Sequence, residues 1–134
     1  MNMSAPVPHL VVDDGELAIA FYERAFGATV EARHKAEDGR RLMHAALKIG
    51  NGALYLHDDF PEYGNHGGAR RPATLGGASC VLHLDVADAD AAWQRATEAG
   101  ATVVMALDNQ FWGARYGMLR DPSGHLWSIG GPPK

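Results

Sequence analysis

The sequence predicts an α+β protein, a single domain spanning residues 1–134 and built from two β-α-β-β-β modules. The chain is written twice: each half offers an apolar strand, a capped amphipathic helix and three further strands. The tetrapeptide GATV occurs at 27–30 and again at 100–103. His9 stands five residues before Asp14, and His83 stands five before Asp88.

Module one is read as 5–60. Residues 7–12 form a short apolar strand. Asp13 and Glu16 have capping-box spacing for a helix, whose buried face is expected at Leu17, Phe21 and Ala25, four apart. Gly27 is placed to stop it in left-handed geometry. Residues 29–33 read as a strand, and Glu37-Asp38-Gly39-Arg40 as a charged turn. Residues 42–49 and 53–57 are strands joined through Gly50-Asn51-Gly52, a hairpin signal.

The linker, 61–79, has five glycines, two prolines and no apolar period. A loop of that length joins the modules and is a candidate cover for a pocket.

Module two is read as 80–131. Residues 80–86 form a strand. Asp88 caps a helix with Ala89, Ala92, Trp93 and Ala96 on one face, and Gly100 ends it. Residues 102–107, 114–120 and 125–129 are the remaining strands.

Composition narrows the function classes. With 46% hydrophobic residues the chain can build a core and is not a disordered segment. A net charge of −4, with only Arg40-Arg41 and Arg70-Arg71 as positive pairs, excludes a nucleic-acid footprint. Cys80 is the single cysteine, so there is no disulfide framework or cysteine-rich metal site, and it is expected to be a small buried hydrophobe. No apolar run suits a signal peptide or a membrane span. The expectation is a cytoplasmic protein with no membrane partner.

VVDDGELAIAFYERAFGATV, VLHLDVADADAAWQRATEAGATV and LRDPSGHLWSIG resemble the vicinal oxygen chelate (VOC) superfamily, the fold of glyoxalases, bleomycin-resistance proteins and extradiol dioxygenases. PHLVVDD, LMHAALKIG and QFWGARYGMLRDPSGHLWSI are most similar to its PhnB-like branch. The resemblance covers nearly the whole chain and implies two modules whose curled sheets form a cleft. In the family's metalloenzymes, the first and last strands of each module each send one ligand into it. Carried over one at a time, those positions fall on Val7, on Tyr55 (or Leu56 with a shift of one), on Val81 and on Ser128, where the metalloenzymes carry glutamate. None is a carboxylate or imidazole, the donors such ions favour, so no metal cofactor is expected at the family positions.

His9 and His83 each lie two residues beyond a carried-over position, and a two-residue step keeps the face of a strand. Both are expected to point into the cleft and are the candidate catalytic residues, as general bases. His57 lies two beyond Tyr55, and His44 is on the neighbouring strand. Three readings stay open: hydrogen-bonded cavity groups, a displaced divalent-metal site from His9, His57 and His83, or a catalytic base. His34, His66 and His125 are expected at the surface. Asp58-Asp59 reads as solvated turn residues or a ligand run.

Gln110, Phe111, Trp112, Arg115 and Tyr116 are expected to form one wall of the cleft. Its aromatic rings would stack on a ligand, and Gln110 and Arg115 would serve as polar handles. Core packing or a dimer interface is the competing use of Phe111 and Trp112. Trp127 alternates with Ser128 and is expected on the helix side, Ser128 on the cleft floor.

The resemblance then favours a homodimeric small-molecule-binding protein over an enzyme. It would sequester a planar or aromatic ligand, as resistance members of the family do. The ligand-binding set is Tyr55, His57, His44, Gln110, Phe111, Trp112, Arg115, Tyr116 and Ser128. The alternative is a metal-dependent lyase, isomerase or dioxygenase using the displaced histidines. A structural or regulatory dimer without a ligand is the weakest reading.

Overall fold

In the computed structural model, which describes residues 2–134 and so leaves Met1 outside the described residues, two modules follow one another. The first is β1 (His9–Val12), α1 (Gly15–Phe26), β2 (Thr29–Lys35), β3 (Leu42–Ile49) and β4 (Gly52–Asp58). The second is β5 (Val81–Asp85), α3 (Ala89–Ala99), β6 (Thr102–Asn109), β7 (Arg115–Arg120) and β8 (Leu126–Gly131). Each makes a four-stranded sheet of the same topology, β1-β4-β3-β2 and β5-β8-β7-β6, with a parallel first pair and antiparallel hairpins. Between them the linker holds the short helix α2 (Pro72–Leu75) and two 3-10 turns, Pro61–Tyr63 and His66–Gly68.

The helix ends follow from local chemistry. Asp14, not Asp13, caps α1 by accepting from Leu17 N, and Asp88 caps α3 by accepting from Ala91 N. Gly27 (φ 69°) and Gly100 (φ 118°) close them in the left-handed region, where a Cβ is costly. The buried stripe of α1 is Ala18, Ile19, Phe21, Tyr22 and Ala25. Leu17 lies just off that stripe and is 70% exposed, which corrects its expected place in the core. Cys80 is also exposed: the strand starts one residue later, at Val81, and leaves the thiol in the lead-in.

One core joins the modules. Leu10, Val12, Leu42, Ala45, Leu47, Leu54 and Leu56 pack under α1, and Leu119, Trp127 and Ile129 with Ala89 and Ala96 pack under α3. The two helices lie against each other, and Trp127 reaches across to Tyr22 and Phe26, with ring centroids 5.4 and 4.5 Å apart. The Asp121 carboxylate fastens the seam, accepting from Tyr22 Oη, Trp127 Nε1 (2.9 Å) and the backbone N–H groups of Ser123 and His125. Burial, then Asp121 itself, raises the Tyr22 pKa well above that of an ordinary phenol, so the hydroxyl stays protonated and donates. His125 is not a surface group, since its Nε2 donates to Val11 O at 2.7 Å. Because both helix-bearing faces are spent on this core, the opposite face of each sheet remains free.

Candidate ligand cleft

Strand register places the side chains on those free faces. His9 pairs with Tyr55 across β1 and β4, and His83 pairs with Ser128 across β5 and β8. The two histidines are therefore structural counterparts, as are Tyr55 and Ser128. One further step pairs Val11 with His57 in the first sheet and Asp85 with Gly130 in the second. Those two differences set how each histidine sits.

In the second sheet Gly130 leaves room. A Cβ there would stand 2.9 Å from His83 Cε1, so the imidazole lies over the glycine. His83 Nδ1 then meets Ser128 Oγ at 2.7 Å, and Nε2 meets Asp85 Oδ1 at 2.8 Å. The ring stacks on Tyr116 (5.9 Å, 20°), and Trp112 leans edge-on against Tyr116 at 5.7 Å. Trp112, Tyr116 and His83 form a continuous ring-lined wall over a floor containing Ser128, which is 1% exposed.

In the first sheet His57 fills the place of that glycine, so His9 meets it edge-on at 4.8 Å. His9 also contacts Tyr55 and His44, and His44 lies 4.8 Å from Tyr55. His34 is exposed, as expected, yet it stands opposite His44 in the β2–β3 ladder and stacks on it at 6.1 Å. Four imidazoles and a phenol thus share one face. His57 Nδ1 donates to Asp58 O at 2.6 Å, which leaves its Nε2 as an acceptor. Partial burial, then neighbouring His57 and His44, holds the His9 pKa below its ordinary value.

Two expected polar handles are used elsewhere. Arg115 shares the α3 side of β7 with Gly117 and Leu119, because alternate residues share a face and Tyr116 takes the other. Its guanidinium holds Asp90 in two bonds of 2.9 Å, which lowers the Asp90 pKa. Gln110 Nε2 donates to Asp108 O and Tyr116 O and ties the β6–β7 turn together. Phe111 at the tip is 97% exposed and Trp112 52% exposed, so neither is a core residue of the chain. Asp58 is not a solvated turn residue: buried, it accepts from Gly15 N and Leu42 N and anchors the start of α1 to the first sheet. Asp59 is paired with Arg70 at 2.8 Å.

Within the chain, His9, His57 and His83 are not brought together as the displaced metal site. The ring contacts of His9 and His57 stay in the first sheet, those of His83 in the second. Among the described residues no three His, Cys, Asp or Glu side chains are placed to hold an ion. Both His83 nitrogens are already engaged, and a ligating nitrogen needs a free lone pair. Nor does the family's ligand set fit. Val7 precedes β1, Val81 is aliphatic, Tyr55 is a phenol, and the Ser128 hydroxyl is bonded to His83.

Three cavities of about 350, 190 and 490 Å³ ring the start of α1, the linker and the 121–124 turn, away from both ring-lined faces. The first is lined by Arg40, Arg41, Arg70 and Arg71 with Asp13, Asp14, Asp58 and Asp59. Most of these charges are already matched, Arg71 to Asp13, Arg70 to Asp59, and Arg41 to Asp38 and Glu62, so the cavity reads as a structural ion-pair network.

Residues 5–129 match the family model of the Glyoxalase/Bleomycin resistance protein/Dioxygenase superfamily. The chain is 50% identical over 125 residues to the uncharacterized protein Mb0911c of Mycobacterium bovis, covering 93% of this chain and 81% of that one. Among solved structures it is similar to TioX from Micromonospora sp. ML1, at 29% identity and a TM-score of 0.70, covering 98% of each chain. It is likewise similar to TnmS3, an antibiotic binding protein from Streptomyces sp. CB03234, at 29% identity and a TM-score of 0.67, again covering 98% of each.

Proposed function

The chain belongs to the glyoxalase/bleomycin resistance protein/dioxygenase superfamily, and from that premise we propose that it is a homodimeric protein that binds and sequesters a planar or aromatic small molecule without a metal. The observation that carries this reading is the Trp112–Tyr116–His83 wall, with the neutral, hydrogen-bonded Ser128 beneath it. Such a surface offers ring faces and placed hydrogen bonds, which is how a pocket selects a flat ligand. The similarity to TnmS3 supports the same use. So does the donor set at the family's metal positions, which suits a divalent ion poorly.

The dimer rests on what the second sheet leaves uncovered. Its two edge strands carry Val81, Val103, Val104 and Met105 at 39–49% exposure, and the adjoining turn carries Phe111 and Trp112. Unpaired apolar edges need a cover. A second copy supplies one and closes the open ring-lined faces into a cleft. Among the described residues no helix is long and apolar enough to cross a membrane, and a lone unpaired thiol suits the reducing cytoplasm.

A fluorescence screen of planar compounds on chelator-treated protein tests the reading. Saturable binding at one site per chain, unchanged on adding Mg²⁺, Zn²⁺ or Ni²⁺, is expected. Binding that appears only with stoichiometric metal would replace it with the metalloenzyme reading.

A further inference from the structure

We propose that the histidine face of the first sheet is the acid-binding half of the cleft, and that the ligand is a planar aromatic bearing an ionised oxygen acid such as a carboxylate, phenolate or enolate. The inference rests on the ligand-binding reading above and names the chemistry of the molecule bound.

The groups that can touch a ligand from this face are His9 on β1, His34 on β2, His44 on β3, and Tyr55 and His57 on β4. Each is a hydrogen-bond donor or becomes one on protonation. Any charge that an imidazole acquires is positive. The carboxylates of the same elements are occupied or remote. Asp58 points to the opposite face, onto Gly15 N and Leu42 N, and Asp59 holds Arg70. Arg33 is paired with Glu16 on the helix side. Lys48 at the end of β3 and Glu31 in the β2 bulge carry formal charges of opposite sign. Lys35 pairs with Leu42 and so follows the helix side. The face is thus nearly neutral when its imidazoles are neutral and cationic once one is protonated.

The second sheet is built the other way. Its histidine is tied to Asp85 and Ser128, and Asp85 is 91% exposed on the ligand side. A carboxylate there repels an anionic group and turns the ligand's acid toward the first sheet. The aromatic body then lies on Tyr116 and Trp112. The crowding that disfavours protonation of His9 in the free protein is relieved when an anion sits among the rings. Binding therefore takes up a proton, and affinity rises as pH falls through the imidazole range.

The test compares 2-naphthoate with 2-naphthamide, nearly the same shape with and without the charge, by fluorescence titration of chelator-treated full-length protein at about pH 6 and about pH 8. Naphthoate is expected to bind roughly tenfold more tightly at the lower pH, the change given by an average uptake of about half a proton across those two pH units, while the amide shows no such change. Calorimetry in two buffers of different ionisation enthalpy should show that uptake directly. His9→Gln and His44→Gln should abolish the pH dependence, whereas Lys48→Gln should keep it. Thermal melts at about pH 8 confirm that the variants are folded. Equal, pH-independent binding of both probes overturns the acid-binding face and leaves the sequestering reading standing. So does loss of the pH dependence in Lys48→Gln in place of the His9 and His44 variants. Failure of both probes to bind at either pH overturns both.

Discussion

Asp121 holds the two modules through one buried carboxylate. It is 4% exposed and satisfies a phenol, an indole and two backbone donors at once. Removing it would leave all four buried donors without an acceptor. Asp121→Ala is therefore expected to cost about 2–5 kcal/mol in urea unfolding, and Tyr22→Phe, which removes one donor, about 1 kcal/mol. Trp112 is the opposite case. Half exposed against Tyr116, it contributes little to the fold, so Trp112→Ala should change stability by less than about 1 kcal/mol. Stacking worth roughly 0.5–1.5 kcal/mol and burial worth about 1–2 kcal/mol would be lost from a bound ring. Affinity should fall about tenfold to a few hundredfold. A melt and a titration on the same sample separate the two effects. At this scale the sequence was legible where alternation decides. Trp127 and Ser128 had to face opposite ways, and they do. The same rule should have separated Arg115 from Tyr116, which were read into one wall. His34 is a surface residue as read, but its contact with His44 was not legible because it depends on the β2–β3 register, which a bulge shifts.

At the scale of elements, the duplicated pattern carried the fold, and strand types and the caps at Asp88, Gly27 and Gly100 were legible because they act locally, while the start of α1 was read one residue early, at Asp13 instead of Asp14. What was not legible was set by tertiary packing: the exposure of Leu17, the burial of Asp58, and the short helix at Pro72–Leu75. Strand β7 shows how tightly helix and sheet meet. A Cβ on Gly117 would stand 2.5 Å from Trp93 Cζ3 and 2.8 Å from Leu107 Cα, and the second is backbone that cannot rotate away. Gly117→Ala is expected to destabilise the protein by about 1–3 kcal/mol. Trp93→Leu should recover part of that loss, which a double-mutant cycle measures. The face of the first sheet carries a pH signature of its own. The folded-state pKa of His9 is held down by burial and by His57 and His44. The unfolded chain, near ~6.5, therefore binds the proton more readily. Stability from this group is complete above that value and is lost as pH falls below it toward the folded value. Melting temperature should decline from about pH 7 to about pH 5, and His9→Gln should flatten that part of the profile.

At the scale of the molecule, one chain spends both helix faces on a single core and leaves both ring-lined faces open. If a second copy closes them, folding and association are linked, and the melting temperature must depend on protein concentration. A hundredfold increase in concentration stabilises the dimer by about 2.7 kcal/mol, a shift of a few degrees for chains of this size. A monomer would show none. Phe111 separates the dimer from the other explanation, a pocket formed within the chain. At 97% exposure it has no role in the isolated fold. Phe111→Ser should leave unfolding at low concentration unchanged, yet reduce the concentration dependence and shift the mass by light scattering toward the monomer. If the variant melts as the parent does at every concentration and keeps the parent's mass, the turn lies outside the interface. The exposed edges of β5 and β6 would then have to be covered without it.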